Sequence, residues 1–241
     1  GAFRLEGNKL KQLSSEPGSW VFLPLEDKRH LIEGTYSGLQ LYVNTTNGWK
    51  LVKKLEGFYE SSRVMSQDAD GFLWVTHGYK GAYRLRLSET AEKILEVKYY
   101  GVEQGFPSNR LINVFKINGN LIFTAEQGIY KYDKASDRFI PESLLSNLLG
   151  TKTQIWYLQA DDLGNIYFVG REKIGMLRQN ARGEYELDAN RFNRIRKYLN
   201  DDLENITILK NNQVLFGSRE GFIQFNPAAA IPPQKEFKAL I

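Results

Sequence analysis

The chain has no cysteine, two histidines and no apolar run that approaches the ~20 residues a membrane-spanning helix requires. Without cysteine there is neither a disulfide framework nor a thiolate metal site, and the compartment is left open. His30 and His77 stand in no HxxxH or HExxH spacing, so metal-dependent hydrolysis has no foothold. A Gly-x-Ser-x-Gly elbow and Gly-rich phosphate loops are missing too, and Ser108 has no base near it in sequence. Nor is the charge one-sided: 32 basic and 28 acidic residues are interspersed to a net +4, too mild a balance to argue for nucleic acid. No basic, apolar, small-residue leader opens the sequence, so any signal peptide or membrane anchor that the natural protein has is expected outside this segment.

What the chain has is a repeated hairpin. In Asp68–Leu87, DADGFLWVTHGYKGAYRLRL, the turn formers Asp68, Asp70 and Gly71 precede a β-branched and aromatic run, which breaks at Gly78–Gly81 and resumes as strand. Comparable hairpins begin at His30, Asn120, Asn165 and Gln213, with Gly38, Gly81, Gly128, Lys173 and Gly221 in the column of the second turn. A period of about 45 residues made wholly of short strands predicts an all-β fold, a β-propeller of four-stranded blades. Five complete repeats and a partial one are present, as expected for part of a larger propeller.

The partial blade covers 1–17 and the repeats cover about 18–60, 61–108, 109–151, 152–203 and 204–227. Gly1–Leu5, GAFRL, matches Gly81–Leu85, GAYRL, which implies a start partway through a blade, with Lys9–Leu13 as its outer strand. The spacing predicts inner strands at Trp20–Leu25, Arg63–Ser66, Leu111–Ile117, Ile155–Gln159 and Ile206–Leu209, and the last blade lacks an outer strand of its own. Asn118-Gly119 is a strong hairpin dipeptide. Two helical stretches interrupt the strands. Glu142–Leu149 sets Leu144, Leu145, Leu148 and Leu149 on one face before Gly150, and Ala189–Leu199 spaces Phe192, Ile195 and Leu199 helically as a decoration on the outer edge of blade four. Residues 228–241, with Pro232-Pro233, read as a linker and the start of a following β-sandwich.

Asp68-Ala-Asp70-Gly71 has the look of half a calcium loop, but the later ligands are absent and a hairpin turn accounts for the same residues. Trp74, Trp156 and Tyr83 lie within strands and are expected in the core between blades. No metal, cofactor or catalytic residue is expected. If the strands alternate direction, the loops entering the inner strands share one face with the mid-hairpin turns, and a ligand would be met there. That face collects Trp20, Arg63, Arg110, Gln154 and Asn205 with Tyr36, His77, Tyr79, Lys80, Arg171 and Arg219. Of these, Trp20, Arg63, His77, Tyr79, Lys80, Arg110, Arg171 and Arg219 are the candidate ligand contacts, suited to an anionic or sugar-like molecule through guanidinium forks and ring stacking.

Gly105, Phe106, Pro107, Ser108 and Asn109, ahead of an inner strand, and Asp70, Gly71, Trp74, Gly81 and Tyr83 in the hairpin resemble the two-component regulator propeller repeat. The likeness runs from Gly1 to about Pro227 and is strongest in the second and third periods. The first, fourth and fifth keep the spacing but lack the Trp, and Lys173 departs from the turn Gly. The resemblance implies a non-enzymatic, periplasmic sensor module of a bacterial two-component regulator that responds to a carbohydrate-type ligand by altered domain or subunit packing. It further implies a homodimer in the intact receptor, no bound nucleic acid, and contact with the membrane only through a downstream span. The alternatives are a propeller lyase or hydrolase acting on anionic polysaccharide, and a protein-interaction scaffold.

Overall fold

The computed structural model of the protein describes residues 1–200 and 203–229. Its strands form a β-propeller. A two-stranded partial blade, β1 (Phe3–Glu6) and β2 (Lys9–Gln12), precedes blade one, which comprises β3 (Val21–Pro24), β4 (His30–Thr35), β5 (Gly38–Thr45) and β6 (Gly48–Leu55). Blade two is β7 (Val64–Gln67), β8 (Leu73–His77), β9 (Gly81–Leu87) and β10 (Ile94–Tyr100). Blade three is β11 (Asn113–Ile117), β12 (Asn120–Thr124), β13 (Ile129–Asp133) and β14 (Arg138–Pro141). Blade four holds β15 (Ile155–Ala160), β16 (Ile166–Gly170), β17 (Ile174–Gln179) and β18 (Tyr185–Asp188). Blade five holds β19 (Ile206–Ile208), β20 (Val214–Ser218) and β21 (Gly221–Phe225), with no fourth strand among the described residues.

Every pairing within a blade is antiparallel and sequential. First strands of successive blades touch: β3 meets β7, β7 meets β11, β11 meets β15 and β15 meets β19, which puts them around the axis. The period of two along each strand then divides its residues between two cores. Leu73 and Val75 of β8 face blade one, while Trp74 faces blade three. Ile166 and Phe168 of β16 face blade three, while Tyr167 and Val169 face blade five. A blade is thus apolar on both faces because it is buried on both.

The turn residues act through their backbones and through short-range hydrogen bonds. Asn118 and Gly119 have φ of 48° and 82°, the left-handed pair of a two-residue hairpin turn. Asp68 accepts from Asp70 N and Phe72 N, and its other oxygen accepts the Trp74 indole N–H at 2.9 Å, so the half-calcium motif is a hairpin lock. Blade four keeps the lock with different residues. Asp161 accepts from Leu163 N and Asn165 N, and Tyr167 donates its hydroxyl to Asp161 at 3.2 Å from the position Trp74 holds in blade two.

The helical stretches depart from expectation in detail. Helix α1 (Ser143–Leu149) is capped by the Glu142 carboxylate, which accepts from Leu144 N and Leu145 N, and it ends at Gly150. Leu145 and Leu149 enter the core between blades three and four, but Leu144 is half exposed. The 189–199 stretch is no α-helix; it forms two 3-10 turns, Asn190–Phe192 and Arg196–Tyr198. Nor does it decorate an outer edge, since Phe192 and Leu199 are buried between blades four and five. The proposed linker and sandwich start lies outside the described residues apart from Ala228 and Ala229.

Blades two and three are also joined by a polar clasp. Asp137 pairs with Lys98 and accepts from the hydroxyls of Tyr132 at 2.6 Å and Tyr100 at 2.8 Å. These donors, Lys98 foremost, hold its carboxyl down at about 2. A carboxylate with a folded-state value below its unfolded one stabilises above the unfolded pKa and loses that contribution as pH falls towards the folded one. Acid unfolding monitored by circular dichroism should therefore show a loss of stability between pH ~4 and ~2 that Asp137→Asn flattens. An unchanged profile in that variant would mean the clasp contributes nothing.

Candidate functional site: the axial channel and its loop face

The hairpin turns of blades one, two and three are stitched by backbone hydrogen bonds to the loop that enters the next blade. Ser62 N donates to Thr35 O, Gly81 N to Asn109 O, Leu111 N to Gly78 O and Gly128 N to Thr153 O. Turns and entering loops therefore share one face, as the strand directions require.

Inner strands run from this face down the axis and line an open channel of about 820 Å³. Its mouth carries Trp20, Arg63, Gln154, Arg171, Leu203 and Asn205; deeper down are Ser66, Asn113, Trp156, Lys116 and Gln159, over an apolar wall that includes Val64, Ile112 and Leu158. The Arg63 guanidinium stands 5.6 Å from the Trp20 ring, which meets Tyr36 edge-on at 5.1 Å. Lys116 is held by Glu26 at 2.6 Å. Trp156 is half-buried: it packs against the core between blades four and five, as its strand position suggested, and also lines the channel, with the Arg196 guanidinium 5.5 Å from its ring. Trp74 is buried as expected, and Tyr83 packs edge-on against Phe58 at 5.2 Å.

Of the eight candidate contacts, Trp20, Arg63 and Arg171 come together at the channel mouth. The other five stand outside the lining. Lys80 is paired with Glu60 at 2.8 Å, Tyr79 is exposed, and His77 accepts the Tyr79 N–H through Nδ1. Burial lowers the His77 pKa, which favours the neutral ring that this acceptor role needs. Arg110 and Arg219 are exposed, the latter donating its backbone N–H to Tyr198 O. Ser108 does have a partner that sequence distance hid: its hydroxyl donates to Glu126 at 2.9 Å and fastens the loop entering blade three to that blade's own hairpin turn. Trp156, Asn113, Lys116 and Gln159 were missed as channel residues. The available signal was a polar or aromatic residue inside an inner strand whose second face had no core to fill.

No protein-family model matches the chain, and no curated protein matches it. Solved structures do. The extracellular domain of the hybrid two-component system BT3049 from B. thetaiotaomicron superposes with a TM-score of 0.60 at 17% identity, over 95% of this chain and 29% of that one. The extracellular domain of BT4673 from the same organism gives 0.55 at 13% identity, over 93% of this chain and 35% of that one. A protein from Lactobacillus plantarum gives 0.53 at 12% identity, over 90% and 70%. These likenesses are of fold. The chain spans about a third of the length of the two sensor domains. Those two neighbours are the extracellular parts of sensors, and among the described residues no helix is long and apolar enough to cross a membrane.

Proposed function

We propose that this segment is a ligand-meeting module of a periplasmic two-component sensor, and that it receives a carbohydrate-type molecule at the mouth of the axial channel. One observation carries the reading. Two tryptophans, Trp20 and Trp156, line a channel with Arg63, Arg171, Gln154 and Asn205, so ring faces lie beside planar donors and amides, the combination that suits a polyhydroxylated ring. The fold likeness to extracellular sensor domains supports the same class. Hydrolysis of a glycosidic bond uses a pair of carboxylic acids, and the lining offers one carboxylate, Glu204, among the described residues. Occupancy would bias how the blades pack on a following domain and on a second subunit of the receptor, and that shift is the signal.

The channel tryptophans supply the test. Titrating the protein with a panel of oligosaccharides should change its tryptophan fluorescence, and Trp20→Phe with Trp156→Phe should abolish the change while leaving the melting temperature within a few degrees. A panel without any response, or a response that survives both substitutions, would remove the channel as the ligand site.

A further inference from the structure

Some basic side chains of this chain are taken up in ion pairs, among them Lys54 with Glu16, Arg84 with Asp68, Lys116 with Glu26 and Arg191 with Asp188. The segment 193–198 gathers several that are not. Asn193, Arg194, Arg196, Lys197 and Tyr198 surround an open groove of about 690 Å³. Arg194, Arg196, Lys197 and the adjoining Arg171 enter no ion pair among the described residues. Three like charges within four residues repel one another, so the segment gains from an anion set among them.

Arg196 connects the groove to the channel. Arg196 donates to Gly170 O at 2.6 Å and to Arg171 O, and it stands over Trp156. Its guanidinium is thereby occupied in pinning the segment to the hairpin turn of blade four. Arg171 projects at the channel mouth on one side of that pin, and Arg194 and Lys197 line the groove on the other. Lys197 rests 4.9 Å from the Tyr198 ring, so an apolar surface lies beside the charge.

We infer that this groove is an anion subsite of the channel, holding the carboxylate or sulfate of an acidic oligosaccharide whose sugar rings lie at Trp20 and Trp156. The inference rests on the carbohydrate reading above and adds the charge of the ligand. Guanidinium and ammonium donors form the stronger, charge-assisted hydrogen bonds to carboxylate and sulfate oxygens, and Arg can do so with two parallel bonds.

Calorimetric titration of the whole 241-residue chain separates the two ideas. The probes are uronate-bearing and sulfated oligosaccharides, each measured beside an uncharged counterpart, such as trigalacturonate beside its methyl ester. The acidic member should bind about tenfold more tightly at low salt, an advantage that shrinks as salt is raised. Arg194→Ala with Lys197→Ala should abolish the preference without weakening the neutral sugar. The control pair Lys9→Ala with Lys50→Ala, which removes the same charge from exposed positions on the partial blade and blade one, should leave it intact. Equal binding of the acidic and neutral members would overturn the anion subsite and leave the carbohydrate reading standing. A preference that survives the groove substitutions, or falls equally in the control pair, would overturn the subsite as well. Binding of neither member would overturn both.

Discussion

Trp74→Ala is expected to cost about 4 kcal/mol of unfolding free energy, within the range for truncating a fully buried Trp. The side chain is 1% exposed and central to the aromatic cluster between blades two and three. Its ring centroid lies 5.0 to 5.6 Å from those of Tyr132, Tyr100, Phe123 and Phe139, three of them edge-on. Truncation leaves a cavity that four rings pinned by their own strands cannot collapse into. It also takes the indole N–H from Asp68, whose Oδ2 then keeps only the Arg84 contact at 3.4 Å. The matched comparison is Trp156→Ala: that side chain is half-buried, packed on the core between blades four and five but open to the channel on one side, so its removal leaves no sealed cavity and should cost about 2 kcal/mol. Urea unfolding of both variants measures the difference. Equal costs would mean that Trp74 does not hold the two blades together.

Gly38→Ala should lower stability by about 3 kcal/mol for two separable reasons. Gly38 opens β5 at φ +115°, and a Cβ there would stand 2.3 Å from the Phe58 carbonyl, where the chain leaving blade one passes the hairpin turn. Both groups are backbone, so neither can swing away. Gly221 occupies the same place in the repeat at φ +132°, and a Cβ on it meets nothing within 4 Å, because no fourth strand follows it among the described residues. Gly221→Ala therefore carries the dihedral cost alone, and the excess in Gly38→Ala measures the close approach. If the two variants melt together, the approach can relax. Blade four explains how Lys173 replaces the column Gly: the tight approach moves to Gly175, whose Cβ would stand 2.8 Å from the Asp188 carbonyl.

The fold was legible because propeller blades make nearly all their contacts with themselves and their sequence neighbours, so the period of the turns carried the architecture. Ile94–Tyr100 was read to the residue as an outer strand, and the inner strands were placed to within about two residues at each end. Residues 189–199 were misread because Phe192, Ile195 and Leu199 have helical spacing, but the backbone closes i to i+3 bonds, Phe192 N to Ala189 O, Ile195 N to Phe192 O and Tyr198 N to Ile195 O, and forms two 3-10 turns with Phe192 and Leu199 buried. Trp156 was read as core and does pack between blades four and five, but its channel-facing side was missed because the other face of a strand residue is unknown from sequence.

Local chemistry settled a good deal by itself: which turns take Gly, Asn or Asp, how often the hairpins recur, and which face the loops share. These follow from backbone dihedrals and from the alternation of side chains along a strand, both readable over a few residues. Only the tertiary structure decided which loop residues meet. Trp20, Arg63, Gln154, Arg171 and Asn205 lie up to 185 residues apart in the chain and reach one channel mouth because the blades are set around an axis. Tyr79, Lys80 and Arg110 occupy the same loops and stay outside it, since distance from that axis is a property of radial packing and leaves no mark on local sequence.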